Sequence, residues 1–325
     1  MLNNRVKSLI QARVSLAPMA GITDYVLRTL VRRYSSDALL TTEMISSEYL
    51  AQTLNGRSGV EILKRGENHS PISYQISGHK PHMMEQAAKF LGKFADMVDI
   101  NMGCPVKKVV GGQDGCALMR NPELASDIVK AVKDGTDKPV SVKFRLGYTV
   151  DEMNYVEFGQ AMQEAGAEFI TIHGRTRSQM YSGHADWAKI KELKDNVDIP
   201  VFANGDITSV DDAIECLKLS SADGVAIGRG AIGDPTLIAR VEHYLKTGEK
   251  LPVPSLEERI EILKCHLVEE IKLRGENVAI KFMRKFYPYY LVGFKNAKVL
   301  RSQLVVEENY DKIMELLNNL SFVNV

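Results

Sequence analysis

The sequence predicts a (β/α)8 TIM barrel followed by a small C-terminal all-helical domain. Eight short apolar runs rich in β-branched residues alternate with amphipathic segments of about ten to fifteen residues. The eight alternations fit within about 230 residues, the scale of one barrel. Nearly every run also ends on polar groups at its C-terminal side, where this architecture builds its active site.

The runs are VSLAPM (14–19), DALLTTEM (37–44), PISYQIS (71–77), MVDINMG (97–103), PVSVKFRLG (139–147), FITIHG (169–174), PVFANGD (200–206) and GVAIGRG (224–230). Strands this apolar suit a parallel sheet covered on both faces. In order they deliver Met19, Glu43, Gln75, Asn101, Lys143 with Arg145, His173, Asn204 with Asp206, and Arg229. Helical patterns lie between them, as in HMMEQAAKFLGKF (82–94), PELASDIVKAV (122–132) and VEFGQAMQEAGA (156–167). The alternation stops near residue 245, where LKTGEKLPVPSLEER (245–259) reads as a linker into a helix capped near Ser255. Everything after it is helical in pattern. The expected division is a catalytic barrel, residues 1–245, and a helical domain, residues 246–325.

Composition narrows the classes. Apolar residues make up 45% of the chain and charged residues 25%, a globular profile, and the formal net charge is zero. Any nucleic-acid partner must therefore be held by a local patch. Four cysteines, no apolar leader and no window near a membrane span predict a cytoplasmic protein. Cys104 and Cys116 lack the spacing of a metal pair, and no CxxC motif is present. Cys216 and Cys265 fall in helical patterns, so no metal site is expected.

Particular residues point to chemistry. ANGDI (203–207) and GRGAIGDP (228–235) close the last two strands, where such barrels bind phosphate on glycine N–H groups and a helix N-terminus. Gly205 and Gly228 allow close approach and Arg229 adds charge. A lysine projecting into the barrel mouth, Lys143, needs an anionic partner or must lose its proton. A reduced flavin supplies that anion, and Gln75 and Asn101 can hydrogen-bond its pyrimidine edge. His173, in the same ring of strand ends, is placed for ligand contact.

Several segments together resemble the tRNA-dihydrouridine synthases, nearest the bacterial B-type (NifR3-like) branch. They are APMAGITD (17–24), TEMIS (42–46), DINMGCPVKKVV (99–110), VKFRLG (142–147), IHGRTRSQMYSGHADW (172–187) and NGDI (204–207), in the family's order and spacing. One departure lies in the first helix, where the family's D-x-P-F-R is Asp24-Tyr25-Val26-Leu27-Arg28. The resemblance implies FMN at the barrel mouth, NADPH as reductant and reduction of specific uridines in folded tRNA. Pro18, Met19 and Ala20 would line the flavin, Gln75 and Asn101 its polar edge, Lys143 its N1/O2 side, and His173 the ring and ribityl region. Asn204, Gly205, Asp206, Gly228 and Arg229 would hold the phosphate end. The GCP cysteine, here Cys104, would be the general acid, protonating uracil C5 after hydride reaches C6 from flavin N5. Such a thiol must carry its proton when it acts. Cys116 reads as a packing residue, and the glycines at 111, 112 and 115 as the turn back into the helix.

For tRNA itself, KFMRKFYPYYLVGFKNAKVLR (281–301) holds Lys281, Arg284, Lys285, Lys295, Lys298 and Arg301 with no acidic residue. The first three fall at i, i+3 and i+4, suited to one helix face tracking phosphates. Lys107, Arg145, Arg175 and Arg177 are further expected RNA contacts near the pocket. The branch resembled implies position 17 in the D-loop, and a monomer is expected. Ribosomal RNA and a small pyrimidine stay open as alternative substrates for the same barrel, as does an RNA-binding module that has lost catalysis.

Overall fold

In the computed structural model, which describes residues 4–54 and 64–319, all eight runs form strands of one parallel sheet. These are β1 (Val14–Leu16), β2 (Leu39–Thr41), β3 (Ile45–Ser46), β4 (Ile72–Ser77), β5 (Met97–Met102), β6 (Val140–Arg145), β7 (Phe169–His173), β8 (Val201–Asn204) and β9 (Gly224–Ile227). Pairing of β1 with both β2 and β9, and of β2 with β4, closes the sheet into a barrel.

The run at 37–44 yields β2 alone, and a further short strand, β3, follows just beyond it. β3 continues alongside β4, with Ile45 opposite Ile76. The break between them has a local cause. The Thr42 hydroxyl accepts the Gln75 N–H at 3.1 Å, a position a backbone carbonyl would otherwise take. Glu43 then turns its carboxylate to the Gly21 N–H.

The enclosing helices form where the sequence carries caps and an apolar stripe. In Pro122–Gly135, Asn121 caps the first turn and proline occupies its start. The helix buries Ala125, Ile128, Val129 and Val132, the i, i+3, i+4, i+7 face. Leu256–Arg274 opens on a reciprocal capping box between Ser255 and Glu258.

Two apolar cores result. The large one lies between strands and outer helices, and the second is built on Leu263, Leu267, Met283, Phe286, Tyr287 and Tyr290 of the C-terminal helices. Met19, Ile22 and Ile232, from barrel loops, pack against the second core. A buried ion network joins the same two parts. Arg274 donates to Asp24 at 2.6 Å and to Glu270 at 2.7 Å, while Asp24 caps the helix Tyr25–Tyr34 through the Leu27 N–H. Burial, and then the neighbouring Asp24 charge, push the Glu270 carboxyl upward, against the Arg274 hydrogen bond that favours its charged form. The helical region is thereby fixed against the loops at the barrel mouth. The residues at 320–325, which fall in the expected helical domain, lie outside the described residues.

Candidate active site

Parallel register decides which side chains meet. Gln75 lies opposite Asp99 and Asp99 opposite Ser141, forming one layer across β4, β5 and β6. Asn101 lies opposite Lys143 one layer higher, and Arg145, His173 and Asn204 align across β6, β7 and β8. Because strand side chains alternate, residues two apart face the same interior. The polar ends of the strands therefore converge on one cavity of about 820 Å³ at the C-terminal mouth. Its volume is that of a cofactor-sized site. Pro18, Met19, Ala20, Gln75, Asn101, Cys104, Lys143, His173, Asn204, Gly205, Asp206, Gly228 and Arg229 all line it. Tyr289 lines it too, from the C-terminal helices.

The floor is cationic. Lys143 donates to Asn204 Oδ1 at 3.0 Å, and the Asn204 amide is itself fixed by donating to the Ala226 carbonyl at 2.7 Å. Burial and then the Arg145 charge press the Lys143 ammonium down to about 8. The same burial, with Arg145 and Lys143, lowers His173 well below its ordinary value, so its ring is neutral. Arg175 Nη1 lies 3.4 Å from His173 Nε2. A guanidinium only donates, so Nε2 is the acceptor and the ring proton sits on Nδ1.

Cys104 stands at the rim on a constrained turn. Its N–H donates to Asn101 Oδ1 at 2.9 Å, and its carbonyl accepts from the Cys116 N–H at 3.1 Å. At Gly115, φ is +60° and a Cβ would approach the Cys104 carbonyl to 2.8 Å, so glycine is required there. Gly111 is in the right-handed region, and the other left-handed residue of the turn is Gln113 at φ 68°. One glycine of the expected three thus has its role at the turn by backbone geometry. Cys116 is fully buried, and burial pushes its thiol up to about 12, as befits an inert packing residue.

Several expected roles are corrected by burial. Arg175, expected on RNA, is 1% exposed, and its guanidinium grips Asp206 at 2.6 and 2.9 Å and the carbonyls of Ser182 and Gly183. Arg145, also expected on RNA, is buried and donates to the carbonyls of Gly103, Thr176 and Met180. Both anchor the loop after β7. Asp206 was expected among phosphate-holding residues, but its carboxylate accepts from Arg175, from the Ala185 N–H at 2.8 Å and from Arg229 at 3.2 Å. Burial opposes its ionisation, yet the Arg175 hydrogen bonds prevail and hold its carboxyl below the usual range. A carboxylate so engaged repels a phosphate and instead aims Arg229.

The basic stretch is corrected in the same way. Its first helix ends at Met283, and of Lys281, Arg284 and Lys285 only the first two reach a common partner. Glu308 lies 3.5 Å from Lys281 and 3.3 Å from Arg284. Lys285 sits over the Phe282 ring at 3.3 Å and donates to the Gly21 carbonyl beside the pocket. Lys295, Lys298 and Lys107 are exposed, while Arg177 and Arg301 are half-buried.

Sequence reasoning missed Asp99, Ser141, Tyr181 and Tyr289. A charged residue in the middle of the apolar run MVDINMG was the signal for Asp99. Tyr181 is half-exposed on the rim, its ring 4.9 Å from the Arg229 guanidinium.

The residue set fits a flavin nucleotide. A depressed lysine with fixed amides on the neighbouring strands, Arg229 in the same cavity and a neutral histidine suit a ligand that carries a phosphate and gathers negative charge. Comparison with known proteins points the same way. The family model described as Dihydrouridine synthase (Dus) matches residues 15–323. The chain is 41% identical over 310 residues to the "Probable tRNA-dihydrouridine synthase 1" of Synechocystis sp., covering 95% of this chain and 86% of that protein. It is 39% identical over 295 residues to the "tRNA-dihydrouridine synthase B" of Pseudomonas aeruginosa, covering 90% and 87%. To the protein of that name from Shewanella oneidensis it is 40% identical over 283 residues, covering 87% of each.

Proposed function

The chain belongs to the dihydrouridine synthase family, and from that premise we propose that it is a flavin-dependent tRNA-dihydrouridine synthase reducing the C5=C6 bond of specific uridines. The observation that carries the reading is the placing of Cys104, a free thiol, on the rim of the cavity whose floor holds Lys143 and His173. When bound there, FMN supplies the reducing equivalents, drawn from NADPH.

The residues divide the remaining work. Lys143 and Arg229 bind the anionic parts of the cofactor, with backbone N–H groups near Gly205 and Gly228 beside the phosphate. Gln75 and Asn101 meet its pyrimidine edge with both donors and acceptors. Pro18, Met19 and Ala20 give it an apolar wall, and neutral His173 adds one directed hydrogen bond. The target uridine leaves the stack to enter the mouth. Cys104 holds a proton on Sγ and delivers it to C5, and the resulting thiolate is re-protonated from solvent at the open rim.

We read residues 1–245 as the catalytic unit and 246–325 as the tRNA-binding unit. Exposed Lys107, Lys295 and Lys298, with Arg177 and Arg301, supply the phosphate contacts. The target is read as position 17 in the D-loop, from the resemblance to the B-type branch, and the setting as the cytoplasm; the active species is a monomer. The test offers the NADPH-reduced protein three acceptors: folded tRNA lacking dihydrouridine, ribosomal RNA and free uridine. Oxidation by tRNA alone is expected. Equal oxidation by free uridine would reject the tRNA substrate.

A further inference from the structure

A buried carboxylate that the proposed reaction does not use sits below the pocket. Asp99 is 5% exposed in mid-strand β5, among side chains that are otherwise apolar or amide. One oxygen accepts from the Ser141 hydroxyl at 2.6 Å and the other from Gln75 Nε2 at 2.6 Å. Gln75 Oε1 then accepts from Asn101 Nδ2 at 2.8 Å, and Asn101 Oδ1 accepts from the Cys104 N–H at 2.9 Å. The backbone end of this chain forces its direction. The Cys104 N–H can only donate, so Asn101 must present its oxygen there and its amide NH2 to Gln75, which leaves the Gln75 NH2 to donate to Asp99.

We propose that Asp99 is a positioning residue, which through the amides of Gln75 and Asn101 fixes both the donor–acceptor pattern of the pocket wall and the placement of the Cys104 turn. An apolar residue at position 99 would leave Gln75 Nε2 buried without a partner. Its amide would then rotate to seek one, taking the Asn101 amide and the Cys104 N–H with it. What the chain needs at this point is an accepting oxygen: Asp99 and Lys143 feel each other's charge, but no ion pair between them is formed among the described residues.

The inference rests on reading Cys104 as the proton donor, but its test separates the two. In the purified full-length protein, the rate at which iodoacetamide alkylates Cys104, followed by peptide mass mapping, reports the turn without any turnover. The expected result for Asp99→Leu is faster alkylation of Cys104 and single-turnover tRNA reduction slowed about 10- to 100-fold, with tRNA affinity unchanged. Asp99→Asn keeps an accepting oxygen and stays close to the parent on both readouts. An Asp99→Leu protein that matches the parent overturns the proposal. So does an Asp99→Asn protein impaired as far as Asp99→Leu, because charge would then be the operative property. If Asp99→Leu does not fold, Gln75→Glu decides the matter. It sets two carboxylates face to face, and adding Asp99→Asn restores a donor between them. Return of the parent alkylation rate in the double variant supports the chain, and failure to return overturns it.

Discussion

The barrel mouth and the basic stretch at 281–301 are both rich in cations, yet they hold them in opposite ways. At the mouth, Arg145 and Arg175 are buried, and each donates to fixed acceptors, the Asp206 carboxylate and carbonyls of the surrounding loops. On the C-terminal helices, Lys295 and Lys298 stand in solvent and Lys281 and Arg284 share an exposed carboxylate. The first arrangement fixes geometry, and replacing one member leaves its partner uncompensated. The second supplies only a screened field, in which single charges contribute little.

That contrast sets the size of each expected effect. Asp206→Ala removes the carboxylate that pairs the fully buried Arg175. It should destabilise the protein by about 3–5 kcal/mol, read by urea denaturation, because a buried charge is left unpaired. A cost below about 1 kcal/mol would show that the mouth is no more demanding than an exposed surface.

Lys143→Met should weaken FMN binding about 10- to 100-fold, the range of one charge-assisted contact, measured by fluorescence quenching. In the cofactor-free protein the same substitution has a pH signature. Folding lowers this ammonium from 10.5 to about 8. Between those values the unfolded chain binds more protons, so stability rises with pH across that window and falls as pH drops towards 8. The variant should lose that rise, seen as a flatter dependence of Tm on pH.

How much of this was legible in the sequence follows the same divide. The eight strands and their polar ends were readable because a closed parallel barrel brings strand termini together whatever the loops do. Gln75, Asn101, Lys143 and His173 therefore reached the cavity as expected. The partners of the charged groups were not readable. Asp206 meets Arg175 across 31 residues, and Glu308 approaches Lys281 from the loop before the last helix. Charge type marks a cation in a sequence, whereas only packing reveals whether an acid neutralises it. The break between β2 and β3 was hidden for a similar reason, since it sits where a threonine hydroxyl and a distant glycine N–H take over the contacts.

The helical face should respond more gently. Reversing both Lys295 and Lys298 to Glu should lower the slope of log Kd for tRNA against log salt by about 1–2, with FMN binding and Tm unchanged. An unchanged slope would remove this face from the RNA footprint. Glu308→Gln is expected to have the smallest effect. Freeing Lys281 and Arg284 should tighten tRNA binding by about twofold or less, because the carboxylate it removes is exposed. A larger gain would mean that these two cations, and not Lys295 and Lys298, dominate the contact.

The central claim is that the Cys104 thiol delivers the proton that completes uridine reduction. It is tested most directly by mixing photoreduced, FMN-loaded Cys104→Ala protein with tRNA lacking dihydrouridine under anaerobic conditions, beside the parent. The account predicts equal FMN content and equal tRNA affinity, with flavin oxidation and dihydrouridine formation in the parent and neither in the variant. Dihydrouridine formed by the variant at the parent's rate would contradict it.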